Sequence, residues 1–262
     1  MAAQPVFKLD LSERFPHLPR APIVEAVIHW RARSEQRLAR EDLRRELTSA
    51  LPDYPTIKTQ HELHFESALG PDGAAVSSRD EWHGFRLEST DGRYIAQFTR
   101  GGFVFSRVTP YENWDRFATE AKRLWQIHVS LAKPSEIERL GVRFINRIVP
   151  VDLSRLDDIL VLPPQTPPGL PLPIDEFLQR SLFDVPGHPY CVNVIQTTQP
   201  PLPPETDTLG LILDIDVFTT ASIPLNDALA DTRLAEMRWL KNKVFFSLIS
   251  PQATARFQED SA

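Results

Sequence analysis

Residues 141–149 read GVRFINRIV. Successive side chains of an extended chain point to opposite faces, so Arg143, Ile145 and Arg147 share one side and Phe144, Asn146 and Ile148 share the other. LILDIDVF (211–218) alternates in the same way, with Asp214 and Asp216 on one side and Leu213, Ile215 and Val217 on the other. In IVEAVIHWR (23–31), Val24, Ala26, Ile28 and Trp30 form an apolar face, and Glu25, His29 and Arg31 lie opposite. Strands with one apolar and one charged side predict an antiparallel sheet that packs one face and leaves the other to water.

Helices follow from a different period. Over Trp114–Lys133, the residues Trp114, Phe117, Leu124, His128 and Leu131 recur at helical spacings, and Pro134 ends the run. Similar readings predict helices over Ser34–Leu51, stopped by Pro52, over Thr232–Ile249, stopped by Pro251, and a short one over Ile174–Leu182. A meander of strands is expected over 61–108. In it Leu63 and Phe65 oppose Glu62, His64 and Glu66, and Phe85 and Leu87 oppose Arg86 and Glu88. Asp91-Gly92 is a two-residue hairpin signal within it. Further strands are expected over Ile137–Val149, Cys191–Gln199 and Leu209–Phe218. Prolines 5, 16, 19 and 22 make residues 1–21 an irregular lead-in. LPPQTPPGLPLP (162–173) reads as an extended, polyproline-like strap.

These elements divide the chain into a sheet-plus-helix half over 1–149, a proline-rich connector over 150–173 and a second sheet-plus-helix half over 174–262. IHVSLAKP (127–134) matches VFFSLISP (244–251), setting Ser130 against Ser247, Leu131 against Leu248 and Pro134 against Pro251. The preceding strands are matched through Val104-Phe105 and Val217-Phe218. The expected fold is α+β, with antiparallel sheet and long helices on one face. A duplication of the helix-grip or TATA-binding-protein-like kind is one explanation of the match, and chance likeness of two amphipathic helices is the other.

With 262 residues the chain falls between one and two average domains. Its 29 basic and 35 acidic residues give a net charge of −6, which argues against nucleic-acid binding through a bulk basic field. The single cysteine, Cys191, excludes an internal disulfide or a multi-cysteine zinc site. No run of about 18 apolar residues spans a membrane, and MAAQPVFKLDLSERF lacks the apolar core of a secretory signal. A cytoplasmic location is the expectation.

The charged sheet face would gather Glu25, His29, Arg31, Glu62, His64, Glu66, Arg143 and Arg147, together with Asp214 and Asp216. Such a face is a solvated surface, an internal salt-bridge network or a binding site. Asp214 and Asp216 could anchor a hard cation, with Glu25 as a third ligand, but no glycine-rich phosphate loop accompanies them. Pairing with Arg143 and Arg147 is the preferred reading; were it buried, removing Arg143 would cost about 3–5 kcal/mol. His61 and His64 face opposite sides, His128 falls on the apolar side of its helix, and Cys191 with His188 lacks an orienting third residue. The aromatic helix residues Trp125, Trp239, Phe245 and Phe246 suit a core, a ligand cavity or a surface for a partner helix.

PRAPIVEAVIHWRAR (19–33), GVRFINRIV, LILDIDVF and KNKVFFSLISPQA (241–253), in this order, resemble a sporadically distributed family of bacterial proteins of similar length. The family pattern has a Glu in the opening strand, an R-[FY]-I-N-R strand and an acidic late strand. It falls on Glu25, Arg143, Asn146, Arg147, Asp214 and Asp216, taken together as a candidate binding set on the polar sheet face. The resemblance implies an accessory role of the defence or toxin–antitoxin type. The expected function is a non-catalytic protein-interaction module, acting on another protein or on itself, without a cofactor or metal. The alternatives are a small-molecule binder with a helix–sheet cavity and a metal-dependent enzyme built on the D-x-D strand.

Overall fold

The computed structural model describes residues 6–32, 39–70, 73–203 and 208–259, without the side chains of 64–70 and 73–77. Nine strands form one antiparallel sheet in the order β2-β3-β4-β5-β1-β7-β10-β9-β8. Its members are β1 (Ile23–Arg31), β2 (Thr56–Gly70), β3 (Gly73–Glu88), β4 (Tyr94–Thr99), β5 (Gly102–Val108), β7 (Arg139–Ile148), β8 (Leu178–Asp184), β9 (Tyr190–Gln199) and β10 (Gly210–Thr219). A two-residue ladder joins β6 (Glu136–Ile137) to β11 (Ile223–Pro224). The helices are α1 (Arg40–Ala50), α2 (Trp114–Ala132), α3 (Asp227–Leu248) and α4 (Pro251–Gln258).

β1 and β7 sit side by side at the middle, with Val27 opposite Arg143. From one edge β2 to β5 run inward to β1, and from the other β8 to β10 run inward to β7. The ladder carries the alternation across the sheet. Trp30 faces Phe103 on one side and Leu140 on the other, Phe144 faces Ile215, and Val142 faces Val217. All of these are buried. β1 is bulged between Ile23 and Glu25, which takes Val24 out of the regular alternation.

Each long helix is capped by asparagine. Asn113 accepts a hydrogen bond from the Arg116 amide, and Asn226 accepts one from Leu229. α2 sets Trp125 against Trp30, stacked with centroids 5.3 Å apart, and Phe117 against Phe105 and Phe144. α3 lies against β7 and β10. The two helices face each other through Lys122–Asp231 and Gln126–Asp227, so they run antiparallel. His128 is buried against Trp125, Phe98 and Phe103, the core position its helical phase suggests. Burial holds its imidazole pKa down at about 4.

Three expectations change. No helix forms over Ile174–Leu182: residues 174–177 are irregular and the edge strand β8 begins at Leu178. Leu178 and Leu182 have helical spacing but are 74% and 58% exposed, and pairing with β9 supplies the backbone hydrogen bonds. Pro251 does not only end a helix: Ser250 caps α4 by accepting from the Ala253 amide, and Pro251 takes the first turn, where a missing N–H costs nothing. Val104-Phe105 and Val217-Phe218 do not correspond, because Phe105 is buried in the core while Phe218 alternates to the opposite face beneath Arg139. α1 begins at Arg40; the start expected at Ser34 lies outside the described residues. The connector 150–173 holds a short 3-10 turn over Leu153–Asp158 and is otherwise irregular.

Trp30 is almost wholly buried where β1, β5 and α2 meet. Trp30→Ala is expected to cost about 3–5 kcal/mol in urea unfolding, whereas Leu178→Ala on the exposed edge stays within about 0.5 kcal/mol. Equal effects of the two would contradict this packing.

Candidate functional site

The sheet register places Glu25, His29, Arg139, Arg143, Arg147, Asp214 and Asp216 on one face. Arg143 grips Asp214 with two parallel bonds, Nε to Oδ1 at 2.9 Å and Nη2 to Oδ2 at 2.5 Å, the fork geometry that suits a guanidinium and a carboxylate. Asp216 is bound by Arg139, not Arg147, at 2.8 Å. Arg147 stands opposite Ile212, four residues along β10 from Asp216, and its Nε donates to Gln199 instead. Arg139 also lies over the Phe218 ring at 4.3 Å. Burial, with the charges of Arg139 and Arg31, holds the His29 pKa down at about 4, so its imidazole is neutral at neutral pH. Burial raises the Asp216 pKa despite Arg139. The carboxylates of the D-x-D strand are thus each engaged by an arginine. Among the described residues no group of three or more His, Cys, Asp or Glu converges in a way that could hold a metal. His64 and Glu66 lie outside the described side chains.

Asn146 is not with this group. It sits on the other side of β7, buried among core residues, where its Nδ2 donates to the Leu213 carbonyl at 2.9 Å. The alternation of GVRFINRIV already sets it with Phe144 and Ile148, against its grouping with the charged residues. There it lines a cleft of about 380 Å³.

The cleft is walled by the lead-in segment Phe15–Ile23, by Tyr111–Trp114 at the start of α2, and by Arg238, Lys241, Asn242, Phe245 and Phe246 of α3. Although irregular, the lead-in is tied down. Phe15 stacks on Phe246 at 5.5 Å, Phe7 and Phe15 pack on Trp239, and Glu13 pairs with Lys243 at 2.7 Å. The Arg20 amide donates to the Phe257 carbonyl of α4. Arg238, Lys241, Asn242 and Phe245 recur at helical spacings of three and four, so one stripe of α3 faces the cleft.

Lys241 is the unusual member. Its ammonium lies 3.9 Å from the centre of the Phe144 ring, and among the described residues no carboxylate or hydrogen-bond acceptor pairs with it. The acidic Glu112 nearby is occupied by Arg107 and Arg116. Arg238, one turn earlier, adds a second positive charge; its guanidinium is over Trp114 and 3.6 Å from the exposed Asp115. Burial first, and the charge of Arg238 second, bring the Lys241 pKa down from 10.5 to about 7. Between those two values the unfolded chain binds more protons than the folded one. Stability therefore rises as pH increases from about 7 toward 10.5, and below about 7 the full cost of burying the charge is present.

Lysine in an aromatic helix reads from sequence as a solvated residue, and KNKVFFSLISPQA gives Lys241 no distinguishing mark. The available signal was Asn146, an amide on the apolar side of a central strand.

Removing Arg143 leaves Asp214, whose side chain is 6% exposed, without its counter-charge. Arg143 itself is 46% exposed, so water replaces part of the interaction, and the cost falls below that of a fully buried pair. Arg143→Ala is expected to destabilise the fold by about 1–3 kcal/mol, with partial recovery in the double variant Arg143→Ala/Asp214→Ala. An unchanged denaturation midpoint in the single variant would contradict the pairing. No protein-family model, curated protein or solved structure matches this chain, so the reading of the cleft rests on its own chemistry.

Proposed function

We propose that this protein binds a small anionic ligand with an apolar or planar body in the cleft between the lead-in, α2 and α3. The observation that carries the reading is the Lys241 ammonium, half-buried in the cleft on the Phe144 ring, one helical turn from a second cation and with no carboxylate partner among the described residues. A group placed so costs stability unless something outside the chain compensates it. An anion in the cleft does so, and the rings of Phe15, Tyr111, Trp114 and Phe246 suit an apolar body.

In this reading the chain is two related halves, and α2 and α3 share the apolar face of the sheet. Across the centre Val27 pairs with Arg143; Trp30 and Asn146 each stand three residues further along their strands. Matching Ser130 to Ser247 sets Trp125 against Asn242. In one half two stacked indoles fill the space between strand and helix, leaving a recess of about 230 Å³. In the other half two amides stand at the corresponding places, beside Lys241, and the larger cleft is open. The open form supports a ligand site.

A protein partner is the second reading, favoured by β8. This strand ends the sheet and exposes Leu178, Leu182 and Phe183, a surface suited to strand addition. The accessory-system role belongs to this reading.

Thermal unfolding with phosphate, benzoate and pyruvate, each in excess, tests the ligand reading. At least one anion is expected to raise the melting temperature of the wild type, as ligands of the folded state do, and to lose that effect in Lys241→Met. Equal responses of wild type and variant to all three would overturn it.

A further inference from the structure

We infer that Lys241 binds its ligand covalently and reversibly, condensing with the carbonyl carbon of a small oxo acid held in the cleft. The inference rests on the ligand reading above and adds a chemical class to it. Three features of the site support it.

The amine is in the right place. It projects from the middle of α3 against the Phe144 ring, in a cleft of about 380 Å³ that admits a small molecule. No acceptor among the described residues takes a hydrogen bond from its ammonium. Lys243, two residues on, is by contrast committed to Glu13.

A second group is placed for the acid. Arg238 lines the same cleft one helical turn away, and its nearest carboxylate, Asp115, is 3.6 Å distant and 87% exposed. A carboxylate on the ligand competes with that solvated contact. The amide of Asn242 lines the same space and offers a hydrogen bond to a carbonyl oxygen, whereas the Nδ2 of Asn146 is committed to the Leu213 carbonyl.

The amine is in a reactive form. An ordinary lysine is about four parts in ten thousand free base near pH 7, whereas Lys241, brought to about 7 by burial and by Arg238, is roughly half free base. Desolvation beside another cation is one of the ways a lysine becomes a nucleophile.

The step balances without a redox partner. The nitrogen lone pair attacks the carbonyl carbon to form the C–N bond and a carbinolamine. In forming the carbinolamine one N–H proton passes through solvent to the oxygen; the hydroxyl then takes up a second proton from solvent and leaves as water, and the nitrogen of the resulting C=N bond keeps its remaining proton. Hydrolysis reverses it. A protonated imine keeps the positive charge that the carboxylate of the ligand offsets.

Pyruvate with sodium cyanoborohydride, followed by intact-mass measurement and peptide mapping, tests the inference. The expected result is one reduced adduct on the peptide carrying Lys241, formed at least about tenfold faster than on any other lysine and absent from Lys241→Arg. Arg238→Gln should slow trapping of pyruvate more than trapping of acetone, which lacks the acid; comparing two probes on one variant cancels any change in the amine itself. Circular dichroism confirms that both variants fold. Adducts spread over the surface lysines, with Lys241 no faster than the rest, would overturn the covalent step. If pyruvate then still raised the melting temperature through Lys241, the anion site would stand without the covalent step; with neither effect for any anion, both fall.

Discussion

Val27 of β1 faces Arg143 of β7 across the midline of the sheet, and the other strands are laid out from that antiparallel pair in both directions. The pair joins residues more than a hundred positions apart, so it closes a long loop, with an entropic cost that grows only slowly with length. What it organises is large. On one side it aligns Trp30, Phe103, Val142, Phe144, Ile215 and Val217 as a continuous apolar surface. On the other it brings Arg139 and Arg143 beside Asp216 and Asp214. A slip of one residue would exchange the two faces along a whole strand, setting buried carboxylates into the core.

The same alignment makes the cleft. Asn146 lies on the core side because Phe144 and Ile148 do, and it faces the stripe of α3 that carries Arg238, Lys241 and Asn242. The lead-in then crosses α3, held by Phe15 on Phe246 and by Glu13 on Lys243. The charged face and the cleft differ in kind. On the charged face, opposite charges meet with good geometry and satisfy one another. In the cleft, two cations stand near each other and the nearby acid is committed elsewhere. An arrangement that is internally satisfied points to structure, and one that is not points to a ligand.

The strands that alternate strongly were legible from sequence, because a period of two with one apolar face has few other interpretations; β1, β7 and β10 follow that reading. α2 was legible for the same reason at the helical period. β8 was not, since Leu178 and Leu182 mimic helical spacing while neither is buried, and only the neighbouring β9 decides the outcome. Arg143 with Asp214 was readable as a pair, but the exchange of Arg147 for Arg139 depends on the partner each arginine finds in the folded sheet, Gln199 for Arg147 and Asp216 for Arg139, which sequence does not carry. Asn146 was marked as a site residue yet grouped with the wrong face. Lys241 was invisible, because its character comes from what surrounds it: Phe144 from β7, Arg238 from its own helix and the lead-in from the far end of the chain.

The central claim is that an amine without a counter-ion sits in the cleft. Its most direct measurement is an NMR titration of labelled lysine side chains, with Lys241→Arg to assign the signal. The account predicts one lysine titrating near pH 7, absent from the variant, while lysines on the surface titrate near the ordinary value of about 10.4. A Lys241 signal that titrates with the surface lysines would contradict it.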